Sequence, residues 1–274
     1  MKIHANVMMK DEAPVLEAVL PIWNSYGIDE WVFYDDGSTD NSVNLVKQRL
    51  DSKVTIINDE LPKFDETHYR SRMLEHSRSS KADYVIAIDA DELLSANLAK
   101  NLRAILPNHD QYDIHYYWYN CAGSIDMMRQ DPLYRENYKS FIMPLKHTQS
   151  FDVYRETKIH TPRTAPITLP KVATKEYGLV HLQALNKRFY AIKQLRYKHF
   201  EYLNWNRDVD FLNNRYDPVV NGLNFMEQPM PKDIVEGICV DPTVFDKVLE
   251  IKDYVNYVNY NRVDELITFG EEYL

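Results

Sequence analysis

The chain predicts an α/β fold, with a mainly parallel central sheet flanked by helices and a helical C-terminal extension. Three observations carry this. Short apolar segments alternate with stretches of helical spacing over residues 2–105. Two of those apolar segments stop abruptly in acidic loops. The 274 residues, 45% of them hydrophobic, suffice for one large α/β domain with a real core.

The elements follow in order. Ile3, Ala5 and Val7 alternate in a first strand over 2–9. Pro14 stands near the start of a helix whose apolar positions are Val15, Leu16, Val19, Leu20 and Trp23. A strand over 31–34 leads through Gly37 into a helix over 41–50, with Ser38, Thr39 or Asp40 as its cap. A strand over 54–57 and a helix over 65–79 precede the apolar run Tyr84-Val85-Ile86-Ala87-Ile88. Ser95 then caps a helix with Leu98, Leu102 and Ile105 turned inward. This βα repetition predicts parallel strands joined by right-handed crossovers. Beyond it lie a strand over 112–119, a polar loop-rich stretch to 144, and extended segments over 145–175 around Pro162, Pro166 and Pro170. A strand over 177–182 carries His181 near its end, and a helix over 187–203 has Phe189, Ile192 and Leu195 on one face. After Pro218 the spacing is largely helical, around Val235, over 244–251 and over 254–267.

The chemistry gathers where the strands end. Asp89-Ala90-Asp91-Glu92 follows a β-branched run, and ligands of open α/β sheets bind beyond the carboxyl ends of such strands. Alternate residues share a face, so Asp89 and Asp91 can converge on Mg²⁺ or Mn²⁺ with phosphate oxygens completing the shell. As an opener of the next helix, Asp91 or Glu92 would need no ligand at all. Upstream, capping explains Ser38 to Asp40 but not Asp35 and Asp36, adjacent carboxylates that need a cation or donors nearby. An aspartate there can accept from a base N–H or a ribose hydroxyl.

Tyr34-Asp35-Asp36-Gly37-Ser38-Thr39-Asp40 and Ile88-Asp89-Ala90-Asp91-Glu92-Leu93 together resemble the nucleotide-binding loop and DxD motif of family 2-type glycosyltransferases of the GT-A fold. Met9-Lys10-Asp11-Glu12-Ala13 resembles their first-strand loop, where Glu12 is the match and Asp11 stands where Asn is usual. Trp118-Tyr119 through Gly123-Ser124, then residues 181–193, resemble the DxDE subgroup, in which a later histidine commonly completes the metal site. The resemblance implies a metal-dependent transfer of a sugar from a nucleotide-diphosphate donor, a UDP-sugar with UDP-glucose first, to an acceptor hydroxyl. It implies Mn²⁺ (or Mg²⁺) at Asp89, Asp91 and His181. It implies donor binding by Glu12, Asp35, Asp36 and Asp89, with Arg188 or Lys193 holding phosphate oxygens or simply lying solvated on their helix. An inverting enzyme needs a carboxylate base, and Asp152 and Glu156 fall in the right interval; a retaining one needs none. On this reading residues 1–203 form the transferase domain, with a nucleotide-binding half over 1–110 and an acceptor half over 111–203. Residues 204–274 form the helical extension, a possible homodimer contact.

Composition bounds the partners. A net charge of −9 argues against nucleic acid, which needs a basic face. No apolar run reaches the length of a transmembrane segment, a strand starts almost at Met1, and two cysteines give no disulfide framework, so a cytoplasmic setting is expected. The acceptor, whether glycan, lipid-linked or protein, is left open. A haloacid-dehalogenase-like phosphatase also ends a strand in DxD but wants Thr or Val two residues later, where Glu92-Leu93 stand. A non-catalytic nucleotide-sugar or glycan-binding module would leave Asp89, Asp91 and His181 without a use.

Overall fold

The alternation at the start of the chain becomes β1 (Ile3–Met9), and Pro14 sits in the first turn of α1 (Ala13–Trp23), where its missing N–H costs nothing. The computed structural model describes residues 1–59, 61, 64–131, 137–154, 160–205, 207–221 and 226–247. After β2 (Glu30–Asp35), Asp40 leads into α2 (Ser42–Arg49) by accepting from the Ser42 N–H and hydroxyl. β3 (Lys53–Ile57) follows, and Asp65 caps α3 (Glu66–Ser79) by accepting from the His68 N–H. β4 (Tyr84–Asp89) is the strand that ends in acid. Directly beyond it comes β5 (Glu92–Leu94), a three-residue strand that no periodicity announces. Ser95 precedes α4 (Ala96–Ile105) without capping it: its hydroxyl donates to Asn97 and accepts from the Gly178 N–H.

The second half is more irregular. β6 (Asp113–Asn120), β7 (Met127–Arg129), β8 (Tyr138–Lys139) and β9 (Ile142–Pro144) lead into 3₁₀ turns at Leu145–His147 and Phe151–Tyr154. β10 (Lys171–His181) begins well before the expected 177, because its exposed first residues pair with β6, a long-range match that leaves no apolar alternation. α5 (Lys187–Trp205) and α6 (Val209–Asn221) follow, with Pro218 inside α6. Beyond them are β11 (Glu227–Pro229), α7 (Lys232–Val235) and a 3₁₀ turn at Pro242–Lys247. Pro229, Pro231 and Pro242 punctuate this stretch, so helix around Val235 is limited to α7. The helix expected over 244–251 is a 3₁₀ turn as far as Lys247 and beyond it lies outside the described residues, as do the helix expected over 254–267 and the homodimer contact they would make.

The main sheet has the order β3-β2-β1-β4-β9, parallel except for β9. A second sheet runs β5-β10-β6-β8, and β11 pairs with β7. Ala90 and Asp91 alone separate β4 of the first sheet from β5 of the second, so the DxDE motif is the corner between them. One face of the main sheet (Ala5, Val7, Trp31, Phe33, Ile86) forms the largest core with α1, α4 and the second sheet. Met230, Ile234, Val235 and Phe245 belong to the same core, so residues 226–247 pack onto the core built by the first half of the chain. The opposite face packs on α3, with Val32 and Tyr34 against Tyr69 and Met73, and Val85 and Ala87 against Leu74. No helix among the described residues is long and apolar enough to cross a membrane.

β10 slips its register against β6 between Thr174 and Gly178. Gly178 lies where any Cβ would strike the Tyr117 carbonyl and the Tyr119 ring, and its N–H and C=O are both bonded to Ser95. Gly178→Ala is therefore expected to cost about 1–3 kcal/mol, the range for overpacking a dense core. Urea unfolding of the variant checks this; an unchanged midpoint would show that the sheet yields freely at this position.

Candidate active site

Asp89 stands level with Met8 and Asp35 with Met9, so both acidic loops leave the same edge of the sheet on either side of β1. At the first loop three carboxylates of one turn meet cations from far along the chain. Arg163 donates to Asp89 Oδ2 at 2.7 Å and forks onto both Glu92 oxygens at 2.5 and 2.7 Å. Glu92 also accepts from the Trp118 indole at 2.7 Å and from the Asp89 N–H at 2.9 Å. Asp89 Oδ1 is buried with no hydrogen-bond partner; Arg70 lies 3.9 Å away and is committed to Glu66.

Asp91 faces the other way. Its Oδ2 accepts from Lys193 Nζ at 2.8 Å and lies 3.3 Å from His181 Nε2. His181 Nδ1 is 2.8 Å from Asn120 Oδ1, and the Asn120 amide nitrogen donates to the Trp118 carbonyl at 3.0 Å. That donation orients the amide oxygen toward the ring, so the Nδ1–H of His181 donates to Asn120 and Nε2 is the nitrogen turned to Asp91. The Trp118 ring stacks on the imidazole with centroids 4.4 Å apart. Burial pushes the Asp91 carboxyl up, but Lys193 and His181 more than offset it and hold it well below the usual carboxylate range. Burial likewise opposes the Lys193 charge, and Asp91 with Glu12 overcomes it, holding the ammonium above its ordinary value.

At the second loop the adjacent carboxylates avoid each other by taking separate donors. Asp35 accepts from the Ser38 N–H and hydroxyl, while Asp36 accepts from the Tyr69 hydroxyl with Lys10 at 3.9 Å. Burial raises the Asp36 carboxyl, and Tyr69 and Lys10 only partly counter it. Asp11 takes a positive φ of 50° and accepts from the Thr39 and Asp40 N–H groups at 2.6 and 3.1 Å. Its own N–H donates to Ser38, and that of Glu12 to Ser42. The residue that departs from the usual Asn thus ties the first-strand loop to the loop after β2.

Asp91, His181 and Lys193 come together, with Glu12 in their field, and Asp89 lies one residue away turned toward Arg163. Asp89, Asp91 and His181 do not bring one ligand atom each within 4.8 Å of one another. Their chemistry still fits a divalent cation: an unpartnered buried carboxylate oxygen, a second carboxylate, and an imidazole nitrogen oriented by an amide behind it. Asp152 sits apart, exposed on the 3₁₀ turn whose Phe151 packs with Leu74 of α3, and Ser150 donates to it. Glu156 lies outside the described residues, and Arg188 falls in the first turn of α5. Sequence reasoning missed Arg163, Asn120 and Tyr69 and gave Trp118 no role. Arg163 lies in an aperiodic proline-rich stretch with no local signal, whereas Trp118 belongs to a quoted motif.

Lys193→Met is expected to cost about 3–5 kcal/mol, because it leaves a buried carboxylate unpaired. Asp91 is depressed in the fold, so this contribution is present above its unfolded pKa of about 3.9 and is lost as pH falls through the lower folded value. Denaturant melts at pH 7 should show this gap between wild type and variant, and it should narrow in acid as the carboxylate left unpaired in the variant is protonated. Equal stability of the two at pH 7 would contradict the pairing.

The family model described as "Glycosyl transferase family 2" matches residues 8–165, which hold both acidic loops and Arg163. A search of curated proteins finds no match. Among solved structures, TarS of S. aureus matches with a TM-score of 0.45 and 14% identity over 97% of this chain and 50% of that one. The chain therefore spans about half the length of that protein. TarS 1–349 in complex with UDP-GlcNAc matches at 0.42 and 14%, over 97% and 83% of the two chains. Glucosyl-3-phosphoglycerate synthase from Mycobacterium tuberculosis in complex with UDP matches at 0.25 and 20%, over 33% and 34%. With more than half of its residues in the family match and a mainly parallel sheet of the GT-A type beneath the two acidic loops, the chain belongs to glycosyl transferase family 2.

Proposed function

We propose that this glycosyltransferase moves a sugar from a nucleotide-diphosphate donor, a UDP-sugar with UDP-glucose the first to test, onto an acceptor hydroxyl. The observation that carries the reading is the shared sheet edge. Asp35 and Asp36 leave it on one side of β1, and Asp91 with the buried Lys193 ammonium on the other. A nucleoside laid over the loop after β2 would meet Asp36, oriented by Tyr69, as acceptor for a base N–H or ribose hydroxyl. Its diphosphate would then reach Lys193.

Cleavage of the sugar–phosphate bond builds negative charge on the departing diphosphate. Mn²⁺ or Mg²⁺ held by Asp91 and His181, with Asp89 Oδ1 beside them, would supply neutralisation of that charge. Lys193 contributes a fixed positive charge that Asp91 and Glu12 keep protonated. Asn120 fixes the His181 tautomer, and Trp118 covers the imidazole face and shields it from water. Arg163 lowers the Asp89 carboxyl against its burial and forks onto Glu92, whose own carboxyl burial raises, so the corner keeps its shape when donor enters. Asp152 is the described candidate for the acceptor base, and Glu156 the other; residues 145–175 are the candidate acceptor surface. Cys121 and Cys239, both unpaired, support a reducing, cytoplasmic setting.

Two measurements test this. Donor hydrolysis and transfer should require Mn²⁺ or Mg²⁺ across a panel including UDP-glucose and UDP-GlcNAc, and Asp91→Asn should lose nearly all of it while remaining folded by circular dichroism. Metal-independent turnover of undiminished rate in that variant would reject the site, and UDP-sugar binding without any turnover would favour the binding-module reading. Separately, Asp36 must be ionised to accept from the nucleotide, and its folded carboxyl is raised. UDP affinity should therefore fall on acidification with a midpoint above the ordinary aspartate value of 3.8. Because the Tyr69 donor holds the value down, Tyr69→Phe should move that midpoint further up; calorimetry from pH 4 to 8 reads both.

A further inference from the structure

At the opposite end of β1 from the acidic loops lies a second cluster that the transferase chemistry does not use. His4 and Glu30 are direct neighbours across the parallel β1–β2 pair, so both side chains project to the same face. His76, in the last turn of α3, comes down over them. One ligand atom from each of the three lies within 4.8 Å of the others.

The hydrogen bonds around His4 decide its tautomer. Ser77 donates its single hydroxyl proton to Asn6 Oδ1 at 3.2 Å, so toward His4 Nδ1, 3.1 Å away, it can only accept. The His4 proton therefore sits on Nδ1, and Nε2 presents a lone pair. Burial holds this imidazole down to about 4, so the ring is neutral in ordinary buffer. Facing Nε2 at 3.4 Å is Glu30 Oε2, another acceptor. Both residues are at most 1% exposed, and neither atom has a hydrogen-bond partner. Two bare acceptors turned toward each other in a buried site incur a desolvation penalty that a cation between them would remove.

We infer that His4, Glu30 and His76 bind a divalent cation of the zinc class, which clamps β1, β2 and α3 together beneath the sheet. Two imidazoles and a carboxylate are a ligand set that zinc prefers and magnesium does not. Ligands bonded at about 2.0–2.1 Å in a tetrahedron stand ~3.4 Å apart, which the His4–Glu30 separation already matches. His76, a quarter exposed, leaves a route in, and its Nε2, 2.7 Å from Glu30 Oε1, would release its proton to solvent on taking up the metal. The competing explanation is that lysines satisfy Glu30: Lys53 lies 2.9 Å from Oε1 and Lys2 3.7 Å from Oε2. It accounts for Oε1, which also accepts from Thr55 and His76, but leaves the Oε2–Nε2 pair facing each other. Both ammonium groups are well exposed and can swing into water.

The test uses full-length protein stripped with a chelator and titrated with ZnCl₂, CoCl₂ or MgCl₂. Zn²⁺ should raise the melting temperature by several degrees where Mg²⁺ does not, and Co²⁺ should give the visible absorption of a four-coordinate site. His76→Gln should remove the Co²⁺ spectrum and weaken Zn²⁺ binding by at least about tenfold, the scale of losing support at a metal centre. Asp91→Asn, at the far edge, should keep both signals. Absence of Zn²⁺ stabilisation in the wild type would overturn the proposal. Equal stabilisation in His76→Gln, or loss of the signals in Asp91→Asn, would overturn it too.

Discussion

Three buried or half-buried carboxylates in one short turn, Asp89, Asp91 and Glu92, set the terms for the rest of the molecule. Each ion taken out of water carries a penalty of several kcal/mol unless a partner meets it. The partners are Arg163, from the aperiodic stretch before β10, and Lys193, from α5. Neither cation is local. The turn can be buried only if the second sheet and α5 are docked against it, so the electrostatic demand of four residues dictates the placement of much of the second half. β5 exists under the same constraint: with Glu92 anchored by Arg163 and Trp118, the chain leaves β4 and pairs antiparallel with the end of β10.

Under the proposed function, that arrangement would also suit the corner to a dianionic ligand. Lys193 is charged because Asp91 makes it so, and Asp91 is ionised because Lys193 and His181 are there. Such mutual dependence leaves the groups preorganised before any phosphate arrives, so little reorganisation is needed when charge develops. The neighbouring loop is preorganised by neutral and backbone donors instead. Asp35 is consumed by Ser38, and Asp11 pins the turn from below, which leaves Asp36 as the carboxylate whose bonding to a tyrosine still permits another donor.

Much of the parallel half was legible because its signals are local. Alternation marked β1, an apolar run ending in acid marked β4, and α3 falls within the helix expected over 65–79. Asp91, His181 and Lys193 were legible through spacing and resemblance, and the fold does bring them together. What stayed hidden depends on distance in the chain. Arg163 is specified only by the carboxylates it meets, more than seventy residues earlier. The early start of β10 depends on pairing with β6 at exposed positions. His4, Glu30 and His76 follow no spacing rule, because their proximity is created by strand register and by the length of α3. Asp11, which looked like a departure from a motif, has a role visible only once the loop it binds is in place.

The separation of the acidic turn from its cations has a consequence for synthesis on the ribosome. Asp91 and Lys193 are 102 positions apart, and at about 5–20 residues per second the carboxylate emerges roughly 5–20 seconds before its counterion. Through that interval β1 to β4 can pair, since their sheet needs nothing beyond residue 89 for its parallel core. The turn itself must stay hydrated, holding the nascent chain as an open sheet with a charged rim. The edge of β4 is closed only when β9 pairs with it, and the charged turn is buried only when α5 arrives.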